Sequence, residues 1–233
     1  MYKQLLYLCF PIALAAGNAL AQEEWVNINQ QVTGEELFPV CAICHGTQAQ
    51  GNDRRDGPTL AGLQSWYVER QLHNFKNGIR GYSEEDIPGK FMRGTHGMLR
   101  NAETIESLAE YIATLEPGAE PDSNAIGPRP FVWNSPYAGV DSSITANKQA
   151  GAKTFTSLCV ACHQADGSGN EALGAGNLQH LSKIYMERQL MYFRDGLRGA
   201  HPDDTYGQQM AGMAKTLTTD QAIADVVAYI LDL

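Results

Sequence analysis

Two stretches of the chain carry the same spacing of apolar positions. Val68, Leu72, Phe75 and Ile79 recur at i, i+4, i+7 and i+11, and so do Met186, Leu190, Phe193 and Leu197. A repeat near 3.6 residues puts each set on one face of a helix. Gly78 and Gly196 stand where such helices should stop. A second pair of apolar stripes follows, with Ile105, Leu108, Ile112 and Leu115 answered by Ile223, Val226, Ile230 and Leu233. Thr218 and Gln221 are spaced to form a capping box for the last of these. A further helix is expected over residues 146–158. The pattern is helical throughout and predicts an all-α protein.

The pairing is an internal duplication. Residues 41–115, moved by 118 positions, fall on residues 159–233 without a gap, and 25 of the 75 aligned positions are identical. The matches include Tyr67-Val68-Glu69-Arg70-Gln71-Leu72 against Tyr185-Met186-Glu187-Arg188-Gln189-Leu190, Arg80-Gly81 against Arg198-Gly199, and Met92 against Met210. Two tandem domains follow. Residues 117–144 hold Pro117, Pro121, Pro128, Pro130 and Pro136 and read as a linker. Phe131, Val132, Trp133 and Tyr137 within it predict that part of the linker packs on a surface, between the domains or within one of them.

The first 21 residues stand apart. Lys3, the apolar run from Leu5 to Ala16 and the small-x-small Ala19-Leu20-Ala21 are the features of a cleaved export signal. The apolar run is shorter than the ~18 residues a membrane span needs, so a retained anchor is the lesser reading. The expected layout is a signal over residues 1–21, domains over 22–116 and 145–233, and the linker over 117–144. The mature chain would be an exported, periplasmic protein, with peripheral membrane association at most.

Five cysteines in 233 residues do not make a disulfide scaffold. Cys9 lies in the signal, and the other four form Cys41-Ala42-Ile43-Cys44-His45 and Cys159-Val160-Ala161-Cys162-His163. One such segment fits a redox dithiol, half a zinc site or a c-type haem attachment. Two copies in an exported chain favour haem. On a helical turn, sulfurs at i and i+3 meet the two vinyl groups of one porphyrin edge, and the histidine at i+4 faces the iron. A dithiol motif wants a βαβ setting that the helical flanks lack, and a zinc site would have to join pairs over a hundred residues apart. The expected cofactors are two covalent haem c groups.

The remaining iron ligand decides the chemistry. Met92, Met98, Met210 and Met213 are candidates, but only Met92 and Met210 correspond under the 118-residue shift, each as Met-x-Gly with a leucine seven positions beyond the Met. His73, His96, His180 and His201 have no histidine counterpart in the other half; His96, near Met92, is the one competitor. Histidine with methionine gives a six-coordinate iron suited to electron transfer. Arg80 and Arg198 either pair with haem propionates or lie solvated at helix ends, and Arg70 and Arg188 read as structural.

With these segments, the chain resembles the di-haem cytochrome c4 family of tandem class I cytochrome c domains. The resemblance implies one haem per helical domain, the two facing across a pseudo-twofold interface, with Cys41, Cys44, Cys159 and Cys162 in thioether bonds, His45 and His163 proximal, and Met92 and Met210 distal. It implies single-electron transfer between respiratory partners, such as a quinol-cytochrome c reductase and a terminal oxidase. Related domains serve as cytochrome subunits of dehydrogenases, including sulfide-oxidising flavocytochromes, which is the second reading. A di-haem peroxidase or thiosulfate-oxidising enzyme is a lesser third, because no spare cysteine ligand remains. The family's proline whose carbonyl meets the proximal imidazole is Pro58; Gly176 stands at the equivalent position, which predicts unequal haem potentials.

Charge limits the partners. The chain carries 17 basic and 26 acidic residues, and removal of the signal takes away Lys3, leaving 16 against 26. There is no basic excess for nucleic acid. Redox partners should present basic surface or dock through apolar contact.

Overall fold

The computed structural model describes residues 32–118 and 140–233. The expected signal and the linker aromatics lie outside the described residues. Those described are helical, with only two isolated β-bridges among them, and the chain from residue 31 onward forms one compact unit.

The N-terminal half contains α1 (Gly34–His45), α2 (Ser65–Lys76), α3 (Ile87–Gly94) and α4 (Ala102–Ala113). The C-terminal half contains α5 (Lys148–Thr154), α6 (Val160–His163), α7 (Lys183–Arg194), α8 (Thr205–Ala214) and α9 (Asp220–Ile230), with a π-helical turn at Phe155–Cys159 joining α5 to α6. Several starts have a local cause. Thr33 and Glu36 form a reciprocal capping box on α1. Asp86 and Asp204 cap α3 and α8 by accepting from Gly89 and Gly207 N–H.

Val68, Leu72 and Phe75 are buried along α2, as their spacing predicts, but the helix ends at Lys76, so Ile79 lies beyond it. Gly78 and Gly196 follow the ends of α2 and α7 with φ of 75° and 78°. Phe38, Ile105, Leu108 and Ile112 build the first core; Phe155, Ile223, Val226 and Val227 build the second. The cap of α9 differs from the expected Thr218–Gln221 box. Thr219 accepts from Ala222 N–H, and Gln221 turns back to Thr145 O and Asp225 Oδ1.

In both halves the helix carrying the CxxCH segment crosses the terminal helix at a glycine. Gly34 lies against the backbone of Ser107 and Leu108 on α4, and Gly151 against that of Asp225 on α9; a Cβ at either would collide. Next to each crossing an aromatic pair packs with ring centroids 5.5 Å apart, Phe38 with Tyr111 and Phe155 with Tyr229.

The halves face each other across a pseudo-twofold interface, in which the arginine contacts recur in equivalent pairs. Arg70 donates to Gly174 O and its counterpart Arg188 to Asp56; Arg80 donates to Tyr185 Oη and Arg198 bonds to Tyr67. Gln64 Nε2 to Ser168 O, Asn177 Nδ2 to Gly62 O and Ser182 Oγ to Asp53 Oδ1 close the seam. No helix among the described residues is long and apolar enough to cross a membrane.

Candidate functional site

A continuous cavity of about 600 Å³ runs between the halves. Cys41, Cys44, His45 and Met92 line it from one side, and Cys159, Cys162, His163 and Met210 from the other, among walls such as Leu63, Val68, Met186 and Phe193. All eight residues singled out by spacing line this cavity, four from each half.

The helix geometry explains the first three of each set. Cys41, Cys44 and His45 share the last turns of α1, and Cys159, Cys162 and His163 occupy the π turn and α6. The four thiols are free. Before haem is attached, burial pushes the Cys41 and Cys159 thiols up to about 11. Burial likewise raises Cys44, with Arg55 opposing.

Both histidines are oriented by a backbone carbonyl. His45 Nδ1 lies 2.8 Å from Pro58 O and His163 Nδ1 3.0 Å from Gly176 O. A carbonyl only accepts, so Nδ1 carries the proton and Nε2 keeps its lone pair for a metal. Burial lowers the pKa of both rings, against the pull of these bonds, and keeps them neutral. The glycine at 176 has a steric reason: a Cβ there would stand 2.6 Å from Tyr67 Cε2, a ring contributed by the other half.

Met92, on α3, packs against the first core, and Met210, on α8, against Phe193, Ala211 and Ala214. Met98 and Met213 also line the cavity, with exposed side chains. His96 is exposed, its Nδ1 3.1 Å from Arg93 O, and is not among the lining residues.

Of the two sequence readings of Arg80 and Arg198, the solvated helix end does not hold. Arg80 and Arg198 are cavity-lining residues stacked 4.5 and 4.4 Å from the Phe75 and Phe193 rings, and bonded to Gln71 and Gln189. Neither is a solvated helix-end arginine. Burial pushes the Tyr185 phenol up, and the guanidinium groups of Arg80, Arg198 and Arg188 pull it down by more. Arg70 and Arg188 are cavity residues that sequence reasoning passed over as structural. Their Nε–H groups, equivalent under the shift, are buried without a hydrogen-bond partner among the described residues. The identity of Tyr-x-Glu-Arg-Gln-Leu in both halves was the available signal.

A family model for cytochrome c matches residues 31–116 and again 149–233. The chain belongs to the cytochrome c family. This cytochrome c is 31% identical over 194 residues to the thiosulfate dehydrogenase electron acceptor of Stutzerimonas stutzeri, covering 82% of this chain and 78% of the relative. It is 28% identical over 225 residues to the cytochrome c4 of Pseudomonas aeruginosa, covering 94% and 90%. The structure of reduced recombinant cytochrome c4 from Pseudomonas stutzeri matches in fold with a TM-score of 0.60 at 24% identity, over 86% of this chain and 96% of that one.

Two cytochrome c domains, each with a CxxC pair, carry two covalently bound haem c groups. The residues fit them: two free thiols and an oriented neutral imidazole per half, apolar walls, and in Arg70 and Arg188 two buried donors that lack an acceptor, as carboxylates of a porphyrin would supply. The protein is an electron-transfer cytochrome.

Proposed function

We propose that the chain is a periplasmic di-haem electron carrier in which His45 and Met92 ligate one iron and His163 and Met210 the other, with the four cysteines in thioether bonds. The observation that carries this reading is the duplicated His Nδ1 to carbonyl bond, which leaves Nε2 for a metal in both halves of the cavity that Met92 and Met210 line. Haem iron held by a histidine and a methionine would supply reversible one-electron exchange. The chain's own residues orient the ligands, exclude water from the pocket and hold the two domains in one register. Bond-making catalysis is not part of this function.

Residues 1–21 act as the cleaved signal, the two domains begin at 22 and 145, and 117–144 join them; the mass of the mature protein tests the cleavage site. Partners are redox proteins, a quinol-cytochrome c reductase and a terminal oxidase among them. A second reading, an electron-accepting partner or subunit of a dehydrogenase, is supported by the thiosulfate dehydrogenase electron acceptor among the relatives. Co-purification at stoichiometric ratio with a dehydrogenase favours the second; a freely diffusing monomer favours the first.

The ligand assignment is tested by Met92→Ala and Met210→Ala in the purified protein. Each should lose half of the methionine-to-iron absorption and lower one of the two potentials. An unchanged spectrum in either removes that methionine from the assignment.

A further inference from the structure

Each histidine of the CxxCH segments bonds a carbonyl in a short loop of its own domain, and each loop is gripped by an arginine of the other domain. Arg188, on α7, donates from Nη1 to Asp56 Oδ1 at 2.5 Å and from Nη2 to Asp56 O at 3.4 Å. Two residues further on, Pro58 O accepts from His45 Nδ1. Arg70, on α2, donates from Nη2 to Gly174 O at 2.6 Å, and two residues further on Gly176 O accepts from His163 Nδ1. The bridges Asn52–Gly57 and Asn170–Ala175 tie both loops into closed turns. A shift at position 56 or 174 is therefore passed to the carbonyl at 58 or 176. Tyr67, on the same helix as Arg70, lies directly against Gly176.

We propose that Arg188 and Arg70 are positioning residues that act across the interface, Arg188 on His45 and Arg70, with Tyr67, on His163. The strength of the Nδ1–H to carbonyl bond sets the basicity of a ligating imidazole. Each domain thus helps to fix the electron affinity of the centre in the other. The two grips are unequal. Arg188 meets a carboxylate, with side chains only 4% and 10% exposed, whereas Arg70 meets a neutral carbonyl and stacks 4.5 Å from the Tyr206 ring. Both donors are charged, but only Arg188 meets a charged acceptor; that bond is the stronger, so His45 is held more tightly than His163. The inference rests on His45 and His163 being iron ligands.

The test uses the haem-loaded full chain and the variants Arg188→Lys and Arg70→Lys, which keep the charge but lose the guanidinium fork. Solvent exchange of the two Nδ1 protons is followed by NMR in the reduced protein, and both midpoints by spectroelectrochemical titration. Arg188→Lys should speed exchange at His45 by roughly three- to tenfold and leave His163 unchanged; Arg70→Lys should do the reverse, by a smaller factor. The affected midpoint should rise in each case, always that of the other domain. Asp56→Gly copies the residue at position 174 onto a left-handed backbone with φ of 57°, where glycine is tolerated, and should reproduce the exchange effect at His45 if Arg188→Lys fails to fold. Effects in the arginine's own domain, equal effects in both, or none would overturn the inference. A histidine without the paramagnetic shift of an iron ligand in the oxidised protein overturns the ligand assignment and this inference with it; shifted histidines without the crossed pattern overturn this inference alone.

Discussion

In the N-terminal domain Gly34 and Phe38 precede Cys41 by seven and three residues; in the C-terminal domain Gly151 and Phe155 precede Cys159 by eight and four. Yet both glycines make the helix crossing and both phenylalanines make the same aromatic pair. The extra residue is absorbed by the π turn at Phe155–Cys159, while the first domain carries Pro39 inside an ordinary helix. Two anchors were thus kept at fixed positions, the helix crossing and the haem-binding segment, and the spacing between them gave way. The loops teach the same lesson. Gln164 and His180 adopt positive φ of 65° and 63° where the first domain has Gly46 and Gly62. Gln164, with ψ of 168°, lies outside even the left-handed helical well, and a non-glycine residue held in such regions costs about 1–3 kcal/mol.

Other differences face the interface and the linker. Glu187 is a buried carboxylate whose Oε2 accepts from Val140 N–H, where the described chain resumes within the linker, whereas its counterpart Glu69 is 43% exposed and lies 3.8 Å from His73. Asp56 pairs with Arg188, whereas at the equivalent position Gly174 offers only its carbonyl. The domains are alike where the cofactor is held and unlike where they are braced.

The largest effect should come from removing one attachment site. Cys41→Ala with Cys44→Ala, and Cys159→Ala with Cys162→Ala, should each halve the covalent haem per chain, read by haemochrome absorbance and intact mass. Loss of both haems from either variant would show that the domains do not load independently.

Next come the crossings. Gly34→Val and Gly151→Val each force a side chain into the backbone of the partner helix and should destabilise by about 3 kcal/mol in denaturant titration. A large difference between them would break the equivalence of the two crossings.

A smaller, pH-dependent effect is expected at Glu187. Burial raises its pKa, with Lys183 and Val140 N–H opposing. The unfolded chain then ionises this group first, so its contribution favours folding below the ordinary value of 4.5 and is lost as pH rises through the higher folded value. Glu187→Gln, which keeps an acceptor for Val140, should flatten the stability profile in that window. A profile unchanged from the parent would remove Glu187 as its cause.

The smallest effect should follow deletion of Thr156, which would restore the first domain's spacing between Phe155 and Cys159. We expect a continuous α-helix, both haems retained and stability within about 1 kcal/mol of the parent, read by thermal unfolding. A collapse in haem content would show that the π turn places the cysteines.

Much of the site was legible because its chemistry is local. Cys41, Cys44 and His45 lie within five consecutive residues, so helix geometry alone aligns them, and the duplication then separated Met92 and Met210 from Met98 and Met213. The arginines were not legible in this way. Arg70 and Arg188 read only as structural, bridging helices or lying on the surface, and the loops they meet belong to the opposing domain, more than a hundred residues away in sequence. The cap of α9 was misplaced by one residue because Thr218 and Thr219 are adjacent and only the backbone bond to Ala222 distinguishes them.

The amino-acid sequence by itself determined the helical class, the duplication and the two haem-binding segments, since each rests on short-range periodicity and spacing. Tertiary structure alone decided which arginine meets which loop, why Gly176 lies beneath Tyr67, and where the extra residue before Cys159 is absorbed. These depend on contacts between segments whose separation along the chain carries no periodic signal.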